Sequence, residues 1–199
     1  MNKSPEISDL SIVTITYNNP LCFTKTYQSL SEFRYRGGKH IIVNGGLSIT
    51  DLILDDCLLI EEDDLGIYDA LNKGIKLVKT QYFMLIHSGD VLAADLKVLK
   101  ELLSKMDHKQ LDILLNDCTI EYKKFTRLMS SRRWKPWMFK LGAQPPHPPI
   151  IYQTKSLLNL TYDIKHPVIA DFKYLEQLFD SCIKYDSSDN IIVRMSSGG

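Results

Sequence analysis

The sequence predicts an α/β fold with a mostly parallel, mixed central sheet flanked by helices. Short apolar runs rich in β-branched residues recur over residues 1–117, and each is followed by a segment with helical periodicity. Strands that alternate with helices in this way pair in parallel, and helices cover both faces of the sheet. Polar clusters follow the ends of several runs, which is where open α/β sheets bind ligands.

The strands are predicted from β-branched and aromatic residues bounded by turn signals. LSIVTITY is the first strand, and its apolar character predicts that it is buried. The full set comprises 10–17, 39–44, 57–62, 81–88, 111–117 and a last strand at 191–195.

The helices are predicted from apolar residues at helical spacing. They cover 21–33, a segment starting at 67, 94–106 and 170–185, with a short helix at 47–54. Pro20 suits the first position of its helix. In the helix that starts at 67, one apolar stripe contains Ile67, Leu71, Ile75 and Val78. The small residues Ala70 and Gly74 beside this stripe would let the helix pack closely on the sheet.

The alternation fades after about residue 118, yet no linker or repeat divides the chain. We therefore predict a single domain over 1–199. Residues 1–117 form a Rossmann-like nucleotide-binding half, and 118–199 form a half that shapes a second pocket. The second half contains a basic and aromatic segment at 125–142 and the proline-rich QPPHPPI at 144–150.

Bulk properties exclude several classes of protein. Lys and Arg together number 24, as do Asp and Glu, so the chain has no net charge. A neutral chain argues against broad electrostatic binding to nucleic acid. The cysteines stand singly, which suits a reducing cytosol better than a disulfide scaffold or zinc site; they are Cys22, Cys57, Cys118 and Cys182. The polar N-terminus lacks the apolar run of a secretory signal, and no uncharged apolar stretch could span a bilayer. We expect a cytoplasmic protein, attached at most to the inner face of the cell membrane.

The stretch EEDDLGIYDALNKGI at 61–75 allows two interpretations. Asp63 and Asp64 could simply cap the helix, and Asp69 with Lys73 could form an i,i+4 ion pair. Alternatively, these polar groups belong to a site that handles phosphate and metal. The residue pattern alone leaves both interpretations open.

HSGD at 87–90 ends an apolar strand and places Asp90 at the sheet rim. A carboxylate there could hold Mg²⁺ or Mn²⁺, which neutralises a diphosphate leaving group, although Ser-Gly-Asp also suits a plain turn. In VNGG at 43–46, Asn44 could bond a base or ribose, and the glycines would admit a ligand. VNGG matches neither the Rossmann fingerprint nor a P-loop.

Four segments together resemble the family 2 glycosyltransferases, which have a GT-A fold. They are SIVTITYNNP, VNGGLSITD, EEDDLGIYDALNKGI and YFMLIHSGD. The resemblance is greatest to the branch that assembles bacterial surface polysaccharides, whose helix signature Gly-Ile-Tyr-Asp-Ala-apolar-Asn-Lys-Gly is reproduced at 66–74. HPPIIY (147–152) and YDIKHPVIADF (162–172) resemble its acceptor-side half. The resemblance implies an inverting enzyme that moves a sugar from a nucleotide-sugar, most simply a UDP-sugar. The acceptor would be a glycan or lipid-linked glycan of O-antigen, capsule or exopolysaccharide.

The resemblance also implies roles for individual residues. The implied donor-binding residues are Thr14, Thr16, Tyr17, Asn18, Asn44, Asp64, Asp69, Asn72, Lys73 and Ser88. Asp90 corresponds to the last carboxylate of the metal motif for Mg²⁺ or Mn²⁺, while His87 and Gly89 replace a common Asn and the first Asp. Asn44 stands where relatives usually carry an Asp that recognises the base.

Asp171 matches the general base of the family, which takes the proton of the acceptor hydroxyl. In IADFKYLEQL the same residue also suits a helix N-cap. His147 matches an acceptor-side His-Pro, although its flanking prolines could serve only to fix a turn.

Lys and Arg surround Trp134 and Trp137, which suggests either a patch for membrane headgroups or a loop over the acceptor cleft. Two other functions fit less well. A nucleotidyltransferase would carry a Gly-rich loop where this chain has TYNNP, and a degenerate nucleotide-sugar binder would share the fold without turnover.

Overall fold

The structure is a computed structural model that describes residues 4–54, 56–157, 160–181 and 183–197; Cys182 lies outside them. The strands are β1 (Leu10–Thr16), β2 (Lys39–Asn44), β3 (Leu58–Glu61), β4 (Tyr82–Leu85), β5 (Val91–Leu92), β6 (Ile113–Glu121), β7 (Thr126–Met129), β8 (Ile151–Gln153) and β9 (Tyr185–Ser196). The α-helices are α1 (Pro20–Ser29), α2 (Ser31–Tyr35), α3 (Ile67–Lys76), α4 (Leu96–Lys109) and α5 (Ala170–Asp180).

These strands form one mixed sheet in the order β3-β2-β1-β4-β8-β6-β9-β5, with β7 paired to β6. The first half of the chain supplies the parallel part, in which β1 lies between β2 and β4 and β3 pairs with β2. The second half is mixed: β8 runs antiparallel to β4 and β6, whereas β9 runs parallel to β6. The predicted α/β class is therefore confirmed.

Every residue of β1 is buried, because strands flank it on both sides and helices cover both faces. Side chains that alternate along β1 contribute to different cores. Val13 and Ile15 join the core beneath α3 and α5, while Leu10 and Ile12 join the core beneath α4. The buried, central position of β1 therefore places its C-terminal residues at one defined edge of the sheet.

Gly74 lets α3 lie directly on the sheet, as predicted. A Cβ at this position would come within 2.4 Å of Val13 Cγ1. Of the predicted stripe, Leu71 and Val78 are buried, but Ile67 is 44% exposed because it lies in the first turn, at the mouth of a cleft. This close packing brings the N-terminus of α3 to the carboxyl edge of β1.

Several predicted boundaries were wrong. The helix expected over 21–33 breaks at Leu30, which caps α1 and precedes α2. The helix expected over 47–54 is only a 3₁₀ turn at Thr50–Leu52, and the helix expected to reach 185 ends at Asp180. The short strands β5, β7 and β8 were not predicted, because pairing with distant strands, rather than a local pattern, defines them.

None of the helices formed by the described residues combines the length and the apolar composition that crossing a bilayer would require.

Candidate active site

A cleft of about 480 Å³ opens where β1 and β4 end and α3 begins. Four residues predicted to bind a donor line it, namely Thr16, Tyr17, Asp64 and Ser88. The other lining residues were not predicted as donor-binding; they are Ile15, Asn19, Cys22, Gly66, Ile67, Ala70 and His87. Most of these are apolar or small, so only their place beside the polar clusters could have indicated them.

Asp64 borders this cleft because Gly45 makes room for its carboxylate. A Cβ on Gly45 would lie 1.9 Å from Asp64 Oδ2, so only glycine accommodates the carboxylate there. Asp64 Oδ1 accepts a hydrogen bond from the Gly66 amide at 2.9 Å. The helix N-cap itself is Gly66, without a side-chain cap, so Asp63 and Asp64 do not cap α3 as one interpretation held.

Asn44 is buried, and its side chain forms hydrogen bonds within the protein. It is only 1% exposed, and its Nδ2 donates to Leu47 O at 2.8 Å and to Glu61 Oε1 at 3.0 Å. Its Oδ1 accepts from the Gly46 amide at 3.1 Å. The side chain therefore shapes the VNGG turn, and it does not line the cleft.

Glu61 organises the loop that follows this turn. Its carboxylate accepts hydrogen bonds from Ile49 N at 2.7 Å, Ser48 Oγ at 2.8 Å and Thr50 Oγ1 at 3.1 Å, besides that of Asn44. The bond from the Ile49 amide contributes most to lowering the pKa of Glu61 to about 2. Glu61 was not predicted to have this role, because the sequence does not distinguish it from the other acidic residues of EEDD.

Thr14 and Asn18 support the cleft from behind. Thr14 is fully buried and its Oγ1 lies 2.9 Å from His40 Nε2. Asn18 adopts a left-handed backbone (φ 49°), and its Oδ1 accepts from the Leu47 amide at 2.8 Å. Both side chains hold the strand ends in place, and neither lines the cleft.

Lys73 contacts several acidic residues on the outer side of α3. Its Nζ lies 3.1 Å from Glu62 Oε1 and 3.3 Å from Asp69 Oδ2, and it donates to Asp63 O at 2.6 Å. Asp69 also accepts from the Leu65 amide at 3.0 Å, the largest cause of its lowered pKa. The predicted i,i+4 pair is confirmed, and Asp69 and Lys73 lie away from the lining of the cleft.

Asp90 lies just behind the cleft, in the turn that begins with His87. It is 7% exposed, and its Oδ1 accepts from the Ser196 amide at 3.2 Å. Burial raises the pKa of Asp90 to about 6, and the Ser196 bond and the charge of Lys25 act in the opposite direction. A buried carboxylate with a raised pKa favours a positive partner.

Among the described residues, no group of three or more His, Cys, Asp and Glu side chains is arranged to hold a metal ion. Asp90 fits such an ion as a single protein ligand, because its Oδ2 makes no hydrogen bond with the described residues. Mg²⁺ sites often use one or two carboxylates and take their other ligands from water and phosphate. The side chains therefore suit a cation carried mainly by a diphosphate.

Asp171 lies in the first turn of α5, whose N-cap is Ile169. The N-cap interpretation of Asp171 was therefore wrong. Its Oδ1 is buried without a hydrogen-bond partner, which is uncommon for a carboxylate oxygen. Burial raises the pKa of Tyr68 to about 12, and the charge of Asp171 adds to the rise. Tyr68, in α3, thus connects the cleft-forming helix to Asp171.

His147 belongs to a buried aromatic cluster beside Asp171. Its Nε2 lies 2.7 Å from the Tyr162 hydroxyl and 3.4 Å from the Tyr152 hydroxyl. Burial lowers the pKa of His147, and the charge of Asp171 acts in the opposite direction. Tyr174, whose hydroxyl is buried without a partner, stacks on Tyr162 at 4.1 Å.

His87 connects the cleft with this cluster. It lines the cleft, and its Nε2 is buried without a partner. Burial lowers the pKa of His87 to about 4; His147 adds to the decrease and Asp171 opposes it. His87, His147 and Asp171 therefore lie close enough to interact electrostatically, and of the three His87 lines the cleft.

The two tryptophans of the basic and aromatic segment differ in exposure. Trp134 is 5% exposed, packs on Phe139 and Phe179, and donates through Nε1 to Ala143 O at 3.1 Å, so it cannot contact a membrane. Trp137 is 60% exposed. The two tryptophans face opposite ways because only one lies against α5.

The fold matches those of known sugar transferases. Over 94% of this chain and 60% of the other, it superposes on Staphylococcus aureus TarS residues 1–349 with a TM-score of 0.73 at 16% identity. It also resembles the mannosyltransferase PcManGT of Pyrobaculum calidifontis, solved with GDP-Man and Mn²⁺. There the TM-score is 0.65 at 10% identity, over 96% of this chain and 58% of the other. These likenesses confirm the predicted GT-A fold.

Sequence comparison agrees. The chain is 33% identical over 98 residues to a Mycobacterium tuberculosis protein named as an uncharacterized glycosyltransferase; the match covers 45% of this chain. It spans only 36% of the length of that relative. The model of the family described as Glycosyl transferase family 2 matches residues 11–179. The chain therefore belongs to glycosyltransferase family 2.

Proposed function

We propose that this protein is an inverting glycosyltransferase that uses a nucleotide-sugar donor, with Asp171 as the general base. The observation that carries the proposal is that Asp171 Oδ1 is buried without a hydrogen-bond partner among the described residues, while the carboxylate is close enough to the cleft-lining His87 to influence its pKa. A carboxylate oxygen without a partner is available to accept the proton of an acceptor hydroxyl.

We propose the following reaction. The acceptor hydroxyl oxygen attacks the anomeric carbon from the side opposite the diphosphate, and its proton passes to Asp171. The bond between the anomeric carbon and the diphosphate oxygen breaks, so the products are a glycoside of inverted configuration and a nucleoside diphosphate. Burial keeps His87 and His147 neutral near pH 7, so neither cancels the charge of Asp171.

We infer that the donor binds in the cleft. Thr16, Tyr17, Asp64 and Ser88 offer polar groups, while Ile15 and Ala70 supply apolar wall. We infer a UDP-sugar, because S. aureus TarS 1–349 has been solved with UDP and with UDP-GlcNAc. Mg²⁺ or Mn²⁺ held by Asp90 and the donor would offset the negative charge of the leaving diphosphate.

The acceptor is proposed from the resemblance of 147–152 and 162–172 to the branch that builds surface polysaccharides. We infer a growing bacterial surface glycan, free or lipid-linked, presented from the side of His147 and Asp171. The protein would act in the cytoplasm, where nucleotide-sugars are made.

A donor screen combined with one substitution tests the proposal. UDP-sugars and GDP-sugars, each with and without Mn²⁺, should raise the melting temperature selectively, since a ligand at about 100 times its Kd stabilises by about 2.7 kcal/mol. Asp171→Asn should keep the shift for the preferred donor and lose transfer to an acceptor glycan. Asp180→Asn, on the same helix and exposed, is the matched control.

Near-normal turnover by Asp171→Asn would refute the assignment of the base. A donor-induced shift without any nucleoside diphosphate release by the unaltered protein would instead indicate a binder that lacks turnover.

A further inference from the structure

The segment 122–142 carries a strong local charge in a neutral chain. It contains seven basic residues and no Asp or Glu; they are Lys123, Lys124, Arg127, Arg132, Arg133, Lys135 and Lys140. All seven are exposed, and none forms an ion pair within the described part of the chain. Their charge is therefore free to attract an anionic partner.

Large apolar side chains stand among these cations. Phe125 is 61% exposed, Leu128 is 55%, Trp137 is 60% and Leu141 is 72%. A single exposed apolar side chain is common on a folded protein. Several of them among unpaired cations indicate an interaction surface.

Part of this surface is held rigidly beside the candidate active site. In the 3₁₀ helix Pro136–Leu141, Phe139 turns inward and packs on Phe172 and Phe179 of α5, with ring centroids 5.2 and 5.7 Å apart. Trp137, Lys140 and Leu141 remain outside. This anchoring fixes the outer residues relative to the helix that carries Asp171.

Exposed apolar residues also lead directly into Asp171. Val168 is 96% exposed and Ile169 is 45% exposed, and both precede α5. We name the exposed side chains of residues 135–141 and of residues 168–169 the basic apolar face. Both parts are tied to α5 by contact or by chain continuity.

We propose that the basic apolar face binds the surface of an anionic membrane. Trp, Phe and Leu enter the boundary between headgroups and acyl chains, while Lys and Arg attract anionic headgroups. A second copy of this chain would bring the same cations against each other and be repelled. Nucleic acid would bind the cations but would leave aliphatic residues such as Leu141 and Val168 without a partner.

If the proposed function holds, this orientation places Asp171 next to a bilayer that carries a lipid-linked acceptor. Membrane binding itself needs neither donor nor turnover. The two proposals can therefore fail independently.

Co-sedimentation with vesicles tests the inference. The protein should bind vesicles of phosphatidylcholine mixed with phosphatidylglycerol, not those of phosphatidylcholine alone, and binding should fall as NaCl screens the charges. Lys135→Glu with Lys140→Glu should weaken binding by about 25-fold or more, since each cation near such a surface contributes about five-fold. Trp137→Ser with Leu141→Ser should weaken binding even at low salt.

Two control variants change equally exposed residues elsewhere, namely Lys97→Glu on α4 and Leu54→Ser, which is 87% exposed. Both should bind anionic vesicles like the unaltered protein. Donor-induced thermal shifts without vesicles should be the same in all variants.

Failure of the unaltered protein to bind anionic vesicles would overturn the inference, as would equal binding to neutral vesicles. Equal loss of binding in the control variants would also overturn it, as would a single-stranded DNA oligonucleotide that binds more tightly than the vesicles or a dimer that forms through Trp137.

Discussion

The side chain of Asn72 bonds both backbone groups of Tyr162, across 90 residues of chain. Asn72 Nδ2 donates to Tyr162 O at 3.0 Å, and Asn72 Oδ1 accepts from Tyr162 N at 2.8 Å. Asn72 lies in α3 beside the donor cleft, while the Tyr162 hydroxyl bonds His147 in the other half. This amide was predicted to bind a sugar-diphosphate, yet in the fold it joins the two halves of the domain.

Asn72→Ala should therefore act mainly on stability. It leaves the N–H and C=O of Tyr162 without partners, which costs about 1–3 kcal/mol. Urea unfolding measures this loss, and Gln177→Ala on the exposed side of α5 should change the free energy of unfolding little. Unchanged stability together with a large loss of donor affinity would show that Asn72 binds the ligand.

Tyr68→Phe should slow transfer while donor binding is kept. The substitution removes a hydroxyl whose pKa is raised in part by the charge of Asp171, and we infer that this hydroxyl helps to orient the carboxylate. We expect kcat to fall by roughly ten-fold with little change in donor Kd, because positioning of a general base affects the reacting state. Tyr122→Phe, whose ring stacks on Phe125 in the β6–β7 turn, is the control. An equal fall in donor affinity would contradict a positioning role.

Gly45→Ala should displace Asp64, because the new Cβ would lie 1.9 Å from Asp64 Oδ2. The carboxylate would lose its bond to the Gly66 amide, which costs about 1 kcal/mol, and donor affinity should fall. The double variant Gly45→Ala/Asp64→Ala should be as stable as Asp64→Ala alone. If the losses of stability in Gly45→Ala and Asp64→Ala simply add in the double variant, the new Cβ clashes with a group other than Asp64.

His40 makes the fold sensitive to acid. Burial, helped by the charge of Arg34, lowers the pKa of His40 from 6.5 to about 3. The unfolded chain takes up a proton below 6.5 and the folded chain does not until about 3, so stability falls as the pH drops through this range.

His40→Gln removes this proton uptake and can still bond Thr14. The stability lost between about pH 7.5 and about pH 5 should shrink by about 2 kcal/mol. The exposed His108→Gln should leave that loss as it is. A loss of the same size in His40→Gln would mean that other groups, such as the buried His87 and His147, carry the effect.

Local patterns determined the element types and the place of the cleft. The β-branched run of β1, the turns after β1, β2 and β4, and the stripe of α3 each depend on neighbours within a few residues. Such patterns, with the rule that ligands bind at carboxyl ends, predicted that the polar clusters after these strands meet at one edge of the sheet. The resemblance to the family then assigned Thr16, Tyr17, Asp64 and Ser88 to the donor site, and these four residues line one cleft.

Only the tertiary structure decided what each polar side chain does. The side-chain amides of Asn44 and Asn72 form hydrogen bonds that hold the fold together. Trp134 is buried against α5, and His87 interacts electrostatically with Asp171. These outcomes depend on partners tens of residues away, brought close by sheet order and helix packing. A side chain in a sequence shows which bonds it can make, but only the folded chain determines which partner is within reach.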